Sequence, residues 1–170
     1  GRGMAGGYTL SMPEKDKHYR RLVEFKDDMA MMMGGYVAEE MQYGRDKLTT
    51  GPSSDLKKAT QLAKKMVMQY GMSEELGPRV YGDNEELIFL AQEIHDKKNY
   101  SEKTAEIIDK EMNQLLAHAK KEAERILTKH KDETERLVKK LLEVETVEQE
   151  EFNAIMEGKS VEKKEEKKDE

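Results

Sequence analysis

The sequence contains no cysteine and no tryptophan, and aromatic residues make up only 6% of its 170 positions. Without cysteine, neither a disulfide framework nor a thiolate zinc site can form, so a zinc site would need histidine and carboxylate ligands. Because aromatic side chains are few, the 12 methionines and the aliphatic residues must fill the interior, which favours packed helices over sheets. We therefore predict a mainly α fold, a helical bundle with at most one or two short strands near the N-terminus.

Two further absences limit the partners of the chain. The formal net charge is -6, and nucleic-acid phosphates require a basic face, so no nucleic-acid partner is expected. No apolar run approaches the ~20 residues that span a bilayer, and the N-terminus lacks the pattern of a signal peptide. The opening Gly1-Arg2-Gly3 carries no initiator methionine, which predicts a piece cut from a larger protein.

The length suits one domain, because a chain of this size can bury roughly 70% of the surface that it exposes when unfolded. We place this domain at residues 1–157. Residues 158–170 are almost all Lys and Glu and form the predicted disordered tail. Near the N-terminus, the alternation from Tyr8 to Met12 predicts one short strand.

The stretch 49–70 joins a turn to a helix, with a carboxylate at the junction. A Gly-Pro pair ends the preceding segment, and Ser53 or Ser54 is predicted to cap the helix. Apolar residues follow at helical spacing: Leu56, Ala59, Ala63, Met66 and Tyr70. Asp55 shares a side of the helix with Ala59, Leu62 and Met66, so we expect it to lean toward the apolar face, where a carboxylate needs a partner. That partner is either the positive pole of its own helix or a metal or catalytic centre.

A second helix is predicted at residues 27–43, after a charged loop at 14–26. It is apolar on nearly every side, which indicates a central, buried position. Gly34 and Gly35 in its middle cost about 1 kcal/mol each relative to alanine. The pair therefore predicts that another backbone comes close to this helix.

Three more helices are predicted in the C-terminal half. Ser101 is predicted to cap a long helix that ends at about His130, followed by a helix near 132–144 with its apolar residues inward. Thr146 begins a capping box and a short helix that buries Phe152, Ile155 and Met156. His118 and His130 lie about 18 Å apart along the long helix, so they cannot share a metal.

Three groups of motifs in this order resemble one known family. They are Gly-Gly-x-x-Ala-Glu-Glu at 34–40, Thr-Thr-Gly and Ser-Asp-Leu within 49–56, and Met-Val-x-x-Tyr-Gly-Met-Ser-x-x-Leu-Gly-Pro at 66–78. The pattern resembles the peptidase domain of the FtsH family of membrane-anchored, ATP-dependent zinc metalloproteases. Residues 1–157 would then be the C-terminal part of that domain.

The resemblance assigns roles to several residues. It implies that Asp55 is the third zinc ligand, and that two histidine ligands come from an upstream His-Glu-x-x-His helix that this sequence lacks. It makes Glu39 a candidate carboxylate that holds a ligand histidine, the alternative being a solvated side chain. It also places Tyr8, Thr9 and Leu10 beside the active site, where an extended substrate could pair with the strand. The alternative for these three residues is a disordered leader.

The resemblance also implies an activity for the parent protein, although the chain alone is expected to be inactive. The parent would be a zinc endopeptidase with one zinc per subunit, and an ATPase domain outside this chain would bind ATP and Mg. It would form a hexamer on the cytoplasmic face of a bacterial inner membrane, or on an organelle inner membrane, held there by upstream helices. Unfolded or membrane proteins would be its substrates.

Two alternatives of other classes remain open. The chain could be a non-catalytic helical assembly domain of an FtsH-like protein. It could also be a coiled-coil adaptor built on residues 101–144, although the break in the apolar stripe near Lys129 to Asp132 favours an intramolecular hairpin.

Overall fold

The computed structural model describes residues 19–82 and 100–158. Within these two ranges the chain forms five α-helices and one 3-10 turn, and no β-strand. The elements are α1 (Leu22–Tyr43), the 3-10 turn (Arg45–Lys47), α2 (Ser53–Met68), α3 (Glu102–Lys129), α4 (Lys131–Val144) and α5 (Gln149–Met156). The mainly α fold class is confirmed. The predicted strand near Tyr8 to Met12 and the tail beyond Gly158 lie outside the described residues.

Helices α1, α2 and α3 pack together around the main hydrophobic core. Its fully buried side chains include Met29 and Val37 of α1 and Met66 of α2. Four buried alanines complete it: Ala59, Ala63, Ala119 and Ala123. Alanine at a helix contact lets the two backbones lie close, while each fully buried large apolar side chain contributes about 1.5–3 kcal/mol. The methionine-filled interior is therefore observed.

Helix α1 begins at Leu22, before the predicted start at Asp27. The side chain of Glu24 accepts a hydrogen bond of 2.7 Å from the backbone N–H of Arg21 and closes the first turn. Phe25 is buried and stacks on Tyr70, with 5.4 Å between ring centroids. The predicted loop at 14–26 was therefore wrong for residues 22–26, which are helical. The sequence did not indicate this, because Phe25 is a single core residue among charged neighbours.

The glycine pair of α1 does not meet another backbone within the described residues. Apart from each glycine itself, its two chain neighbours and the adjacent backbone of α1, no heavy atom from this part of the chain lies within 4 Å of the position that a Cβ would occupy on Gly34 or Gly35. The close approach that the pair predicts is therefore absent from residues 19–82 and 100–158. Gly35 lies on an open side of the helix.

Helix α2 starts without a side-chain cap, so the predicted cap at Ser53 or Ser54 was wrong. Buried Pro52 occupies the N-cap position, and its carbonyl accepts from the amides of Asp55 and Leu56 at 3.1 and 3.0 Å. At the other end, Gly71 has a φ of +62°, and a Cβ there would lie 3.0 Å from the Cα of Pro78. Glycine is therefore required at this turn on both counts.

The turn that follows α2 is tied to α3 by polar contacts. The buried Ser73 hydroxyl donates to Glu111 at 2.7 Å and accepts from the amide of Leu76 at 3.0 Å. On the surface, Lys110 lies 2.7 Å from the carboxylate of Glu75. The hydrogen bond to Glu75 raises the pKa of Lys110 above its usual value. These contacts hold the turn against α3.

Helix α3 agrees with its prediction. Ser101 caps it by accepting from the amide of Thr104 at 3.2 Å, and the helix ends at Lys129. At 28 residues it is about 42 Å long, and its buried residues Ile108, Ala119 and Ala123 face the other two helices of the bundle.

Helices α4 and α5 are placed as predicted but are less buried than predicted. Leu142 is 82% exposed and Val138 51% exposed, so the apolar side of α4 is not covered by the described residues. In α5 Ile155 is buried, whereas Phe152 is 40% exposed. The capping box at Thr146 was also wrong, because Glu148 is the N-cap and makes no side-chain cap bond.

Candidate metal ligand and its supporting turn

Asp55 lies in the first turn of α2 and is accessible. Its side chain is 47% exposed and lies 3.0 Å from the ammonium of Lys58. The expectation that Asp55 leans toward the apolar face was therefore wrong. An exposed pair of this kind is worth about 0–1 kcal/mol, so little free energy holds the carboxylate to Lys58. The first turn of a helix also favours a negative charge.

Glu39 of α1 contacts the turn that leads into α2. One carboxylate oxygen accepts from the backbone N–H of Thr49 at 3.0 Å, and the Thr49 hydroxyl lies 2.9 and 3.1 Å from the two oxygens. The same hydroxyl accepts from the amide of Gly51 at 3.1 Å. We call this set of three residues, Glu39, Thr49 and Gly51, the α1–α2 latch. Glu39 is therefore engaged by protein groups, although a carboxylate still has lone pairs free for a further donor.

Sequence reasoning missed the side-chain roles of Thr49 and Gly51. Both belong to the quoted Thr-Thr-Gly motif, but no spacing rule relates position 39 to position 49 once the helix ends. The available signal was only the combination of a hydroxyl residue and a glycine before a helix start, because the missing side-chain cap is seen in the structure and not in the sequence. A turn of that kind indicates that support comes from elsewhere in the chain.

The structure brings Glu39 together with the turn that leads into α2. Tyr8, Thr9 and Leu10 lie outside the described residues. His118 is exposed on α3, and His130 lies at the end of that helix. Among residues 19–82 and 100–158, no group of three His, Cys, Asp or Glu side chains is placed to hold a metal.

The donor set fits one position of a zinc site. A catalytic zinc takes three protein ligands from His, Asp, Glu or Cys, and an accessible carboxylate on a fixed helix start suits one of them. Asp55 meets this requirement, since its ion pair with Lys58 is on the surface. The remaining ligands would have to come from outside the described part of the chain.

An uncovered apolar strip runs along α1 beside Glu39. Met31 is 58% and Met41 48% exposed, and Gly35 and Ala38 lie between them on the same side. The opposite side of α1, with Met29, is buried in the bundle. No helix of the described residues is long and apolar enough to cross a membrane.

The class of protein follows from comparison of the whole chain with known families. Residues 1–155 match the family model described as peptidase family M41. The chain therefore belongs to peptidase family M41. This is the family that the motifs around Asp55 and Glu39 indicate.

The individual relatives carry a more specific name. The chain is 42% identical over 154 residues to the "ATP-dependent zinc metalloprotease FtsH 1" of Sphaerobacter thermophilus, covering 91% of this chain and 23% of the relative. It is 42% identical over 162 residues to the protein of that name from Conexibacter woesei, covering 95% and 24%. It is 41% identical over 157 residues to "ATP-dependent zinc metalloprotease FtsH" of Caulobacter vibrioides, covering 92% and 25%. The chain thus spans about a quarter of the length of these relatives.

Proposed function

We propose that this chain is the C-terminal part of the peptidase domain of an ATP-dependent zinc metalloendopeptidase, and that Asp55 is one of its zinc ligands. The observation that carries the proposal is the placement of Asp55: an accessible carboxylate at the start of α2, paired only weakly with Lys58. Membership of peptidase family M41 and the names of the relatives support the same activity.

In this chemistry the chain itself supplies Asp55 as a ligand and holds it in position. Asp55 would hold the metal in place of its surface contact with Lys58, and the α1–α2 latch fixes the helix start that carries Asp55. A bound zinc would polarise the scissile carbonyl and activate a water. By resemblance, two upstream histidines complete the ligand set and the glutamate between them is the general base. Glu39 keeps lone pairs that could accept from one of those histidines.

The exposed strip of α1 supports the same arrangement. Met31 and Met41 leave an apolar surface next to Glu39, and a helix that carries the two histidines would cover it. Gly35 and Ala38 on this strip would let such a helix approach closely.

The wider assignments belong to the same proposal. The parent binds ATP and Mg through a separate ATPase domain and carries one zinc per subunit. It assembles as a hexamer on the cytoplasmic face of a bacterial inner membrane, and unfolded or membrane proteins are its substrates. The strand at Tyr8, Thr9 and Leu10 pairs with the extended substrate.

The test is replacement of Asp55 in the longer protein that includes the upstream histidine helix. Asp55→Ala should abolish peptide hydrolysis and lower zinc content, because it removes a ligand, while ATP hydrolysis and helix content stay nearly unchanged. Peptide cleavage, bound zinc and circular dichroism measure these outcomes. Asp46→Ala is the matched control, since it removes an exposed carboxylate from the 3-10 turn before α2.

Two results would contradict the proposal. If the Asp55→Ala protein cleaved peptides at the unaltered rate with stoichiometric zinc, Asp55 would be only a helix-start carboxylate. If the unaltered longer protein bound no zinc, the non-catalytic assembly domain would be the better assignment. The 170 residues alone should bind no zinc tightly and cleave nothing, because one carboxylate makes a poor zinc site.

A further inference from the structure

We propose that Thr49 and Gly51 are positioning residues for the metal site: through Glu39 they set the start of α2 and hence the place of Asp55. This inference rests on the proposed role of Asp55 and goes beyond it. It assigns a function to two residues that make no contact with a metal.

Helix α2 does not secure its own start. No side chain caps the helix, and the N-cap position is taken by Pro52, which has no side-chain acceptor to offer. Ser53 and Ser54 are both exposed. The first turn, which contains Asp55, therefore depends on what holds the preceding turn.

This preceding turn is held by a side chain of α1. The Glu39 carboxylate accepts hydrogen bonds from both the amide and the hydroxyl of Thr49, at 3.0 and 2.9 Å. Hydrogen bonds to a charged acceptor are about twice as strong as neutral ones. The Thr49 hydroxyl in turn accepts from the amide of Gly51. Glu39 of α1 is therefore linked to the backbone on both sides of Thr50: directly to the amide of Thr49, and through the Thr49 hydroxyl to the amide of Gly51.

The turn is also tight around position 51. A Cβ on Gly51 would lie 3.2 Å from a Glu39 oxygen and 3.2 Å from the Thr49 hydroxyl. Both oxygens would have to move by a few tenths of an ångström, which would disturb the hydrogen bonds of the latch. Pro52, the next residue, is buried and is the N-cap of α2, so a shift at Gly51 is passed to Asp55.

Zinc retention in the longer protein tests the proposal. Thr49→Val keeps the shape of the side chain and removes its hydroxyl, and we expect zinc affinity to fall about 10- to 100-fold, as for other outer partners of metal ligands. A chromogenic zinc chelator measures the loss by competition. Peptide kcat should fall with zinc occupancy, while KM and ATP hydrolysis stay unchanged. Gly51→Ala should show a smaller loss of the same kind.

Two further variants separate positioning from general damage. Thr49→Ser keeps the hydroxyl and should restore zinc affinity to near that of the unaltered protein. Thr50→Val makes the same chemical change one residue along and should leave zinc affinity unaltered. The Thr50 hydroxyl is exposed and makes no hydrogen bond to the described residues.

Amide hydrogen exchange on the 170-residue chain gives a readout that needs no metal. Thr49→Val should speed exchange at residues 53–56 and leave the middle of α3 protected. Uniform loss of protection in α1, α2 and α3 would mean that Thr49 only stabilises the fold, which would overturn the inference.

The outcomes distinguish this inference from the proposed function. If Asp55→Ala keeps its zinc, the proposed function fails, and the positioning role fails with it. If Asp55→Ala loses zinc but Thr49→Val retains it fully, only the positioning role is overturned. If Asp55→Ala and Thr49→Val both lose zinc while Thr49→Ser retains it, the proposed function and the positioning role both stand.

Discussion

The α1–α3 bundle and the α4–α5 end of the molecule differ in how much of their apolar surface the described residues cover, although both contain amphipathic helices. The bundle holds side chains with no exposed surface, among them Met29 and Met66. Helix α4 has the sharpest division of apolar and polar sides among the five helices, yet none of its residues is buried. An amphipathic pattern thus predicts a helix and its apolar side, but not what covers that side.

The contacts of the two regions explain the difference. Helices α1, α2 and α3 each contact the other two, whereas α4 contacts only α3 and α5 within the described ranges. Polar links join α4 to α5: Lys140 lies 2.9 Å from Glu151, and Arg136 donates to the carbonyl of Ile155 at 3.2 Å. Most of the stability of the described part should therefore reside in the bundle.

The largest expected effect is at Met66 of the bundle. Met66→Ala should lower the free energy of unfolding by about 2–5 kcal/mol, because it removes a fully buried side chain and leaves a cavity. Urea unfolding followed by circular dichroism measures the loss. Met41→Ala makes the same change at a 48% exposed position and should cost less than about 0.5 kcal/mol. Equal losses in the two variants would contradict the assigned core.

An intermediate effect is expected where α3 packs on α1 and α2. Ala119→Leu should cost about 1–3 kcal/mol, because Ala119 is 1% exposed and there is no space for the larger side chain. Ala117→Leu is the matched control, being exposed on the same helix. Thermal unfolding of both variants checks the comparison. A stabilising Ala119→Leu would show that the packing between the helices is looser than described.

The smallest effect is expected on α4. Leu142→Ala should change the free energy of unfolding by less than about 0.5 kcal/mol, because the side chain is 82% exposed. Amide exchange in α4 should also be faster than in α1, since few contacts protect it. A loss of 2 kcal/mol or more, by the scale of buried leucines, would mean that α4 is covered in solution.

The elements themselves were largely predictable. Helix α3 was predicted from its cap to within a residue or two, because Ser101 and a long apolar period act locally. The start of α1 was missed because one aromatic residue, Phe25, joins the core from within a charged stretch. Local signals identify helices well when cap and period agree.

The candidate site was predictable only in part. Asp55 was indicated by its motif, but its exposure and its contact with Lys58 were not. A second motif, at 34–40, indicated Glu39 but not its bonds to Thr49, since these residues lie ten positions apart in different elements. Its proposed bond to a ligand histidine is still a prediction.

The sequence by itself determined the mainly α class, most helix boundaries and the family, because these depend on local periodicity and on ordered motifs. Only the tertiary structure decided which apolar sides are covered and what holds the start of α2. Both depend on contacts between distant elements: Ala119 packs into the core that contains Met66, and Thr49 bonds to Glu39. A one-dimensional pattern does not contain these pairings, because the free energy of burial or of a hydrogen bond is set by the partner as well as by the residue.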